Sequence, residues 1–187
     1  MGHGRGPADL RLAAAGLLLL AFALRVCRLN GQSFWFDESG SVVESRLPLG
    51  DVIAQHLGGD HPPGYFLRLR LWMRLAGESD YAVRFASVVA GTASLALLWR
   101  LGRRVAGREV AILALASATA SSFGLYYGQE ARSYALLGAL TLLATYSYIR
   151  AMASRSPLRA ALPPGRYQAN LALPFGHVVK VGEQVLR

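Results

Sequence analysis

The chain has a single cysteine, Cys27, so an internal disulfide framework and a cysteine-rich metal site are both excluded. Charge is scarce too: 17% of its 187 residues are Asp, Glu, Lys or Arg, against roughly 25% in an average soluble domain. Acids are the scarcer sign, with 11 Asp and Glu against 20 Lys and Arg, for a net charge of +9. No internal repeat or low-complexity tract is present. With 53% hydrophobic residues the chain is too apolar to stay disordered, and it carries too little charge for a soluble domain of its size.

Uncharged stretches occupy residues 12–24, 85–99, 110–129 and 133–149. Several approach the roughly 20 apolar residues that cross a bilayer as a helix. In a soluble protein the positive charge would point to nucleic acid, but its placement points to a membrane. Arg5 and Arg11 precede the first stretch, Arg103, Arg104 and Arg108 separate the second from the third, and Arg150, Arg155 and Arg159 follow the fourth. Basic side chains at alternate ends of apolar runs are the positive-inside pattern, which puts both chain termini in the cytoplasm. A nucleic-acid partner is not expected.

The expected fold is an all-α integral membrane protein, with about four transmembrane helices and short juxtamembrane helices in the first external loop. The first helix covers residues 10–28, with Arg25 and Arg28 snorkelling to the outer interface. A signal peptide with Ala21-Phe22-Ala23 as its cleavage site is the competing reading. Either delivers residues 29–81 to the outer face as an external loop rich in acids. Within that loop, residues 38–46 can form a helix stopped by Pro48 and Gly50, and Asp51 can cap a second helix running to Leu57. His61-Pro62-Pro63 dictates an extended turn. Residues 65–75 are apolar but carry Arg68, Arg70 and Arg74, which suits an interfacial helix, although residues 67–71 also alternate as a strand would. Three spans are expected within residues 82–150, at 82–101, 110–127 and 133–149. Residues 151–187 read as a cytoplasmic tail, with a strand at 177–181.

This topology gathers Asp37-Glu38, Asp60-His61 and Gln129-Glu130-Ala131-Arg132 on the outer side. A carboxylate can take a proton from an acceptor hydroxyl, and an arginine can neutralise a departing phosphate. Neighbouring helical residues point about 100° apart, so one of Asp37 and Glu38 is expected to be catalytic and the other structural or metal-directed. Phe34-Trp35-Phe36 would hold the pair at headgroup depth. Each feature also has a plainer reading. An acid pair is commonly a helix start, His61 a turn residue, Glu130 and Arg132 a helix-end pair, and Arg84 either a snorkelling anchor or a second phosphate contact.

Five motifs in order carry a family resemblance: Phe34-Trp35-Phe36-Asp37-Glu38, Asp60-His61-Pro62-Pro63-Gly64-Tyr65-Phe66, Tyr81-Ala82-Val83-Arg84-Phe85, Gly102-Arg103-Arg104, and Tyr126-Tyr127-Gly128-Gln129-Glu130-Ala131-Arg132-Ser133-Tyr134. Over residues 10–152 the chain resembles the start of the GT-C membrane glycosyltransferases. It is most similar to the bacterial branch of protein O-mannosyltransferases and lipid A aminoarabinose transferases. The resemblance implies inverting transfer of a sugar from a polyprenyl-phosphate donor to an acceptor in protein, lipid or glycan, on the extracytoplasmic side of the cell membrane. It implies Asp37 as general base with Glu38 beside it. Glu130, Arg132, Arg84 and Tyr127 are the implied substrate and phosphate contacts. Asp60 and His61 are the implied ligands if a divalent metal is used, and no nucleotide or organic cofactor is expected. Such enzymes continue through many more spans, whereas residues 156–187 depart from their pattern. The rival readings are an inactive truncated protein serving as a scaffold or lipid-binding subunit, and a small flippase. The flippase would be expected to place ionisable residues inside its spans.

Overall fold

A computed structural model describes residues 7–57, 63–154, 169–172 and 178–181. Eight helices appear in order: α1 (Pro7–Val26), α2 (Phe36–Arg46), α3 (Leu49–His56), α4 (Pro63–Ala76), α5 (Asp80–Val105), α6 (Arg108–Ala120), α7 (Ser122–Gln129) and α8 (Tyr134–Ser154). Inter-residue contacts divide the chain after Tyr148. In the second unit, β1 (Ala169–Ala172) pairs antiparallel with β2 (Val178–Val181), Ala169 facing Val181 and Ala172 facing Val178. The strand expected at 177–181 is thus β2, and the all-α expectation gains one hairpin. His177 lies outside the described residues.

Among the described residues α5 and α8 are long and apolar enough to cross a membrane, and the pair α6–α7 makes a third crossing if its two bent halves count as one. Helix α1 has 20 residues but contains Asp9, Arg11 and Arg25, and it is not among them. The expected four spans are therefore matched by two, or by three with the bent pair.

The spans start and stop on local signals. The Ser79 side chain accepts from the Ala82 N–H at 3.2 Å, capping α5, and Asp80 occupies its first turn. A Cβ on Gly102 would stand 3.0 Å from that of Ala111, so the glycine is what lets α5 and α6 pack closely around the Ala106-Gly107 turn. The expected straight span over 110–127 is instead broken, with α6 and α7 meeting at 62°. Ser121 explains the break. It ends α6, and its hydroxyl accepts from the Gly124 N–H at 3.1 Å, which caps α7 and offers the backbone an alternative to a continuous helix.

Two apolar cores result. Ala14, Ala21, Leu95, Trp99, Ala111 and Leu115 unite α1, α5 and α6. Val42, Val52, Tyr65, Phe66, Leu69, Met73, Val83 and Ala131 form the second, which packs α2, α3 and α4 as a helical cap on one end of α5. The interfacial expectation for 65–75 needs amending here. The segment is helical rather than alternating, and Tyr65, Phe66, Leu69 and Met73 bury into protein, while Leu71 and Leu75 stay exposed. Arg70 donates to the Ser45 and Leu47 carbonyls, satisfying the end of α2. Asp51 sits in the first turn of α3 and Pro48 holds the cap position expected for it.

Helix α1 is clamped to α7 reciprocally. The Gln129 Nε2 donates to the carbonyls of Leu24, Arg25 and Cys27, at 3.3, 3.1 and 3.0 Å, where α1 runs out of internal partners. Arg25 reaches back, donating to Ala21 O at 3.0 Å and Gly124 O at 3.2 Å. It is 2% exposed. The expected snorkelling of Arg25 is therefore wrong: a Cβ on Gly128 would come within 2.8 Å of its Nε, so a missing side chain makes the slot that draws the guanidinium inward. Arg28 is exposed as expected, at a left-handed φ of 56° that ends α1.

Candidate active site

At the capped end of α5, Arg84 and Glu38 form a buried pair. The Arg84 Nε donates to Glu38 Oε1 at 2.9 Å and its Nη2 to Oε2 at 2.6 Å, a bidentate arrangement. The remaining donors reach the Leu29, Gln32 and Ser33 carbonyls at 3.1, 2.6 and 3.3 Å. A guanidinium has five N–H donors, and all five are engaged within the protein. Glu38 Oε1 also accepts from the Ala131 N–H at 2.8 Å. One ion pair thus joins the loop after α1, helix α2, helix α5 and the loop after α7.

That network sets the register of the two residues beside it. Asp37 precedes Glu38 and Arg132 follows Ala131, and the Arg132 Nη2 stands 3.7 Å from Asp37 Oδ2. The distance exceeds hydrogen-bond reach, so the two charges stand side by side as an ion pair without a hydrogen bond between these atoms. Exposure separates the acids: the Asp37 side chain is 37% accessible and that of Glu38 1%. Arg132 lies over the Tyr134 ring, 5.7 Å from its centroid. Burial opposes its charge, but the hydrogen bond to Tyr134 and the field of Asp37 outweigh this and raise its pKa above the ordinary arginine value.

Two neighbours enlarge the site. Burial pushes the Tyr65 phenol well above the usual tyrosine range, against the fields of Arg68 and Arg132 and the neighbouring Ser41 hydroxyl. Ser41 donates to the Asp37 carbonyl at 3.1 Å. Arg68 has its Nε buried with no partner, and burial lowers its pKa against the field of Tyr65. On the other side Tyr127 packs edge-on against Phe123, Tyr126 and Tyr134, with centroids 4.5, 5.2 and 4.7 Å away.

A model of the dolichyl-phosphate-mannose-protein mannosyltransferase family matches residues 60–162, more than half of the chain. The chain belongs to that family. Its similarity to curated relatives extends further. Undecaprenyl phosphate-alpha-4-amino-4-deoxy-L-arabinose arabinosyl transferases of Pseudomonas aeruginosa, from strains LESB58 and PAO1, are each 33% identical to it over 128 residues, 64% of this chain and 23% of their own length. The chain thus spans about a quarter of the length of the curated relatives it matches. No solved structure matches it.

In this member of the mannosyltransferase family, the fold brings together Asp37, Glu38, Arg84, Glu130 and Arg132, which come from three separate stretches of the sequence. Glu130 is buried with its Oε1 unpartnered, and its charge raises the pKa of Tyr126. Arg84, expected as a phosphate contact or a snorkelling anchor, has no donor left for a phosphate. Asp60 and His61 lie outside the described residues, and so does the metal expectation attached to them. Among the described residues no three His, Cys, Asp or Glu side chains gather as a metal site would need. Sequence reasoning missed Tyr65 and Arg68 as members of the site. The available signal was their i, i+3 spacing, which puts them on neighbouring parts of one helix face, with Tyr65 four residues from Leu69 on the apolar side.

Proposed function

We propose that this chain forms part of a membrane glycosyltransferase that moves a sugar from a polyprenyl-phosphate donor to an acceptor hydroxyl at the extracytoplasmic membrane surface, with inversion. The observation that carries the reading is the partly exposed Asp37–Arg132 ion pair, 3.7 Å apart, held beside the buried Glu38–Arg84 pair at the end of membrane-length helices. The donors printed in the relatives' names, undecaprenyl phosphates, support the choice of lipid.

Asp37 accepts the proton of the acceptor hydroxyl as its oxygen bonds to the anomeric carbon. The bond from that carbon to the phosphate oxygen breaks on the opposite face, and its electron pair leaves on the lipid phosphate. Arg132 neutralises the phosphate. Because Arg132 is rigidified by Tyr134 and by the Ala131–Glu38 hydrogen bond, little reorganisation accompanies the charge shift. Glu38 and Arg84 act as positioning residues, and Tyr127 with Tyr134 offers ring faces to the sugar. No step of this mechanism runs through a metal ion at Asp60 and His61.

The test is transfer of label from radiolabelled undecaprenyl-phosphate sugars to protein, lipid or glycan, in membranes expressing the chain with all coding sequence contiguous to it. Label moved from a polyprenyl-phosphate sugar supports the reading. Label accepted only from nucleotide sugars refutes it.

Orientation has a separate test, because Cys27 is the chain's single cysteine and is exposed just after α1. A membrane-impermeant maleimide is expected to label Cys27 in intact cells. Labelling only after permeabilisation would put the site on the cytoplasmic side.

A further inference from the structure

Arg68 of α4 is a cation with nothing to neutralise it. Its side chain is half-buried, its Nε is fully buried without a partner, and among the described residues no carboxylate pairs with it. The other arginines around the site are engaged: Arg70 donates to the Ser45 carbonyl, Arg84 holds Glu38, and Arg132 stands against Asp37. A desolvated guanidinium without a counter-ion is unfavourable, and burial already lowers the pKa of Arg68, so an arriving anion would relieve it. Helical side chains lean toward the N-terminus of their helix, which directs Arg68 over the turn that carries Tyr65. Tyr65 packs in one core with Val42 of α2 and with Ala131, the residue before Arg132. Beyond burial, the charges that act on its phenol are those of Arg68, then Arg132, then Glu38, and Glu38 is already neutralised by Arg84. Two arginines thus bear on one phenol, and Asp37 balances just one of them.

The proposed transfer has use for that excess charge. Asp37 and Arg132 cancel, as do Glu38 and Arg84, while the phosphate ester of the donor brings one negative charge. When Asp37 takes the acceptor's proton its own charge disappears, but the departing phosphate then carries close to two. Without Arg68 the site is therefore about one positive charge short both before and after the transfer, and with Arg68 it is balanced. Counting Glu130, whose field reaches Arg84, only enlarges the deficit. We propose that Arg68 is the second arginine that binds the phosphate of the polyprenyl-phosphate donor, the role expected of Arg84. This assignment rests on the donor class proposed above, and it falls on a residue outside the five motifs that carry the family resemblance.

Expressed with all coding sequence contiguous to it and reconstituted in phosphatidylcholine nanodiscs, the protein is expected to bind radiolabelled undecaprenyl phosphate more tightly than uncharged undecaprenol. Arg68→Gln should cut that preference about tenfold or more, the worth of one charge-assisted hydrogen bond, and leave undecaprenol binding unchanged. Arg68→Met, which keeps an apolar stem and lacks the charge, serves the same test should Arg68→Gln fail to accumulate. An equal fall in the binding of both lipids would make Arg68 a structural residue, and an unchanged preference would leave it without the phosphate. Displacement of the label by phosphatidylglycerol would reduce the contact to any phospholipid headgroup, and an effect confined to the acceptor's KM would put an acceptor charge at Arg68 instead. Each of these four results overturns the proposal. The binding assay involves neither sugar nor acceptor, so the two readings fail separately. A preference that depends on Arg68 in a protein that transfers no sugar would refute the proposed reaction alone, and transfer by a protein whose preference survives Arg68→Gln would refute the role of Arg68 alone.

Discussion

Glu38→Ala is expected to destabilise the helical cap by about 3–5 kcal/mol, because it strands the Arg84 guanidinium in a buried position without its counter-ion. The same substitution removes the acceptor of the Ala131 N–H, whose desolvation adds to the loss. Arg84→Ala should be at least as harmful, since it leaves Glu38 unpaired and also orphans the carbonyls of Leu29, Gln32 and Ser33. Unfolding of the detergent-solubilised chain, followed by tryptophan fluorescence through Trp35 and Trp72, measures both. The double variant Glu38→Leu/Arg84→Met separates this explanation from general fragility. Removing both charges abolishes the stranded-ion penalty, so its loss should be smaller than the sum of the single losses by about 2 kcal/mol or more, within the range seen for directly paired residues. Additive losses would show that the pair is not coupled as the hydrogen bonds indicate.

Asp37→Asn is expected to leave folding intact and to lower the rate of sugar transfer at least about a hundredfold, the low end of general-base contributions. The side chain is partly exposed and takes no part in the buried network, so the isosteric amide should keep the unfolding midpoint of the parent. Retention of undecaprenyl phosphate should also persist, because Asp37 acts on the acceptor rather than on the lipid. Near-normal transfer in this variant would remove Asp37 from the role of base. The contrast with Glu38 is the instructive part. Neighbouring acids that are chemically alike should fail in different ways, Glu38 through stability and Asp37 through rate, because the fold has buried one and left the other at an open edge.

That division was half legible in the sequence. The spacing argument required Asp37 and Glu38 to point apart, and the family resemblance favoured Asp37, but neither said what Glu38 would meet. Its partners lie 46 and 93 positions away along the chain, and no local pattern reports contacts at such range. The surroundings of Arg84 were illegible for the same reason: beside an apolar stretch, an arginine that snorkels to water and one that ties five acceptors read identically. The bend at Ser121 was missed because residues 110–129 are uniformly uncharged, and hydropathy registers no difference between a straight helix and two capped ones.

By itself the sequence determined what depends on composition and short-range order. The sorted arginines and uncharged stretches established a helical membrane protein, proline and glycine punctuation marked the short helices of the loop, and the ordered motifs placed the chain in its family. Only the tertiary structure decided which charges are buried with partners: Glu38 and Arg84 pair in the interior, Arg25 turns inward, and Asp37 stays partly exposed beside Arg132. The reason is physical: hydropathy and helix signals are set by neighbours along the chain, whereas the fate of a charge is set by the groups that folding brings around it.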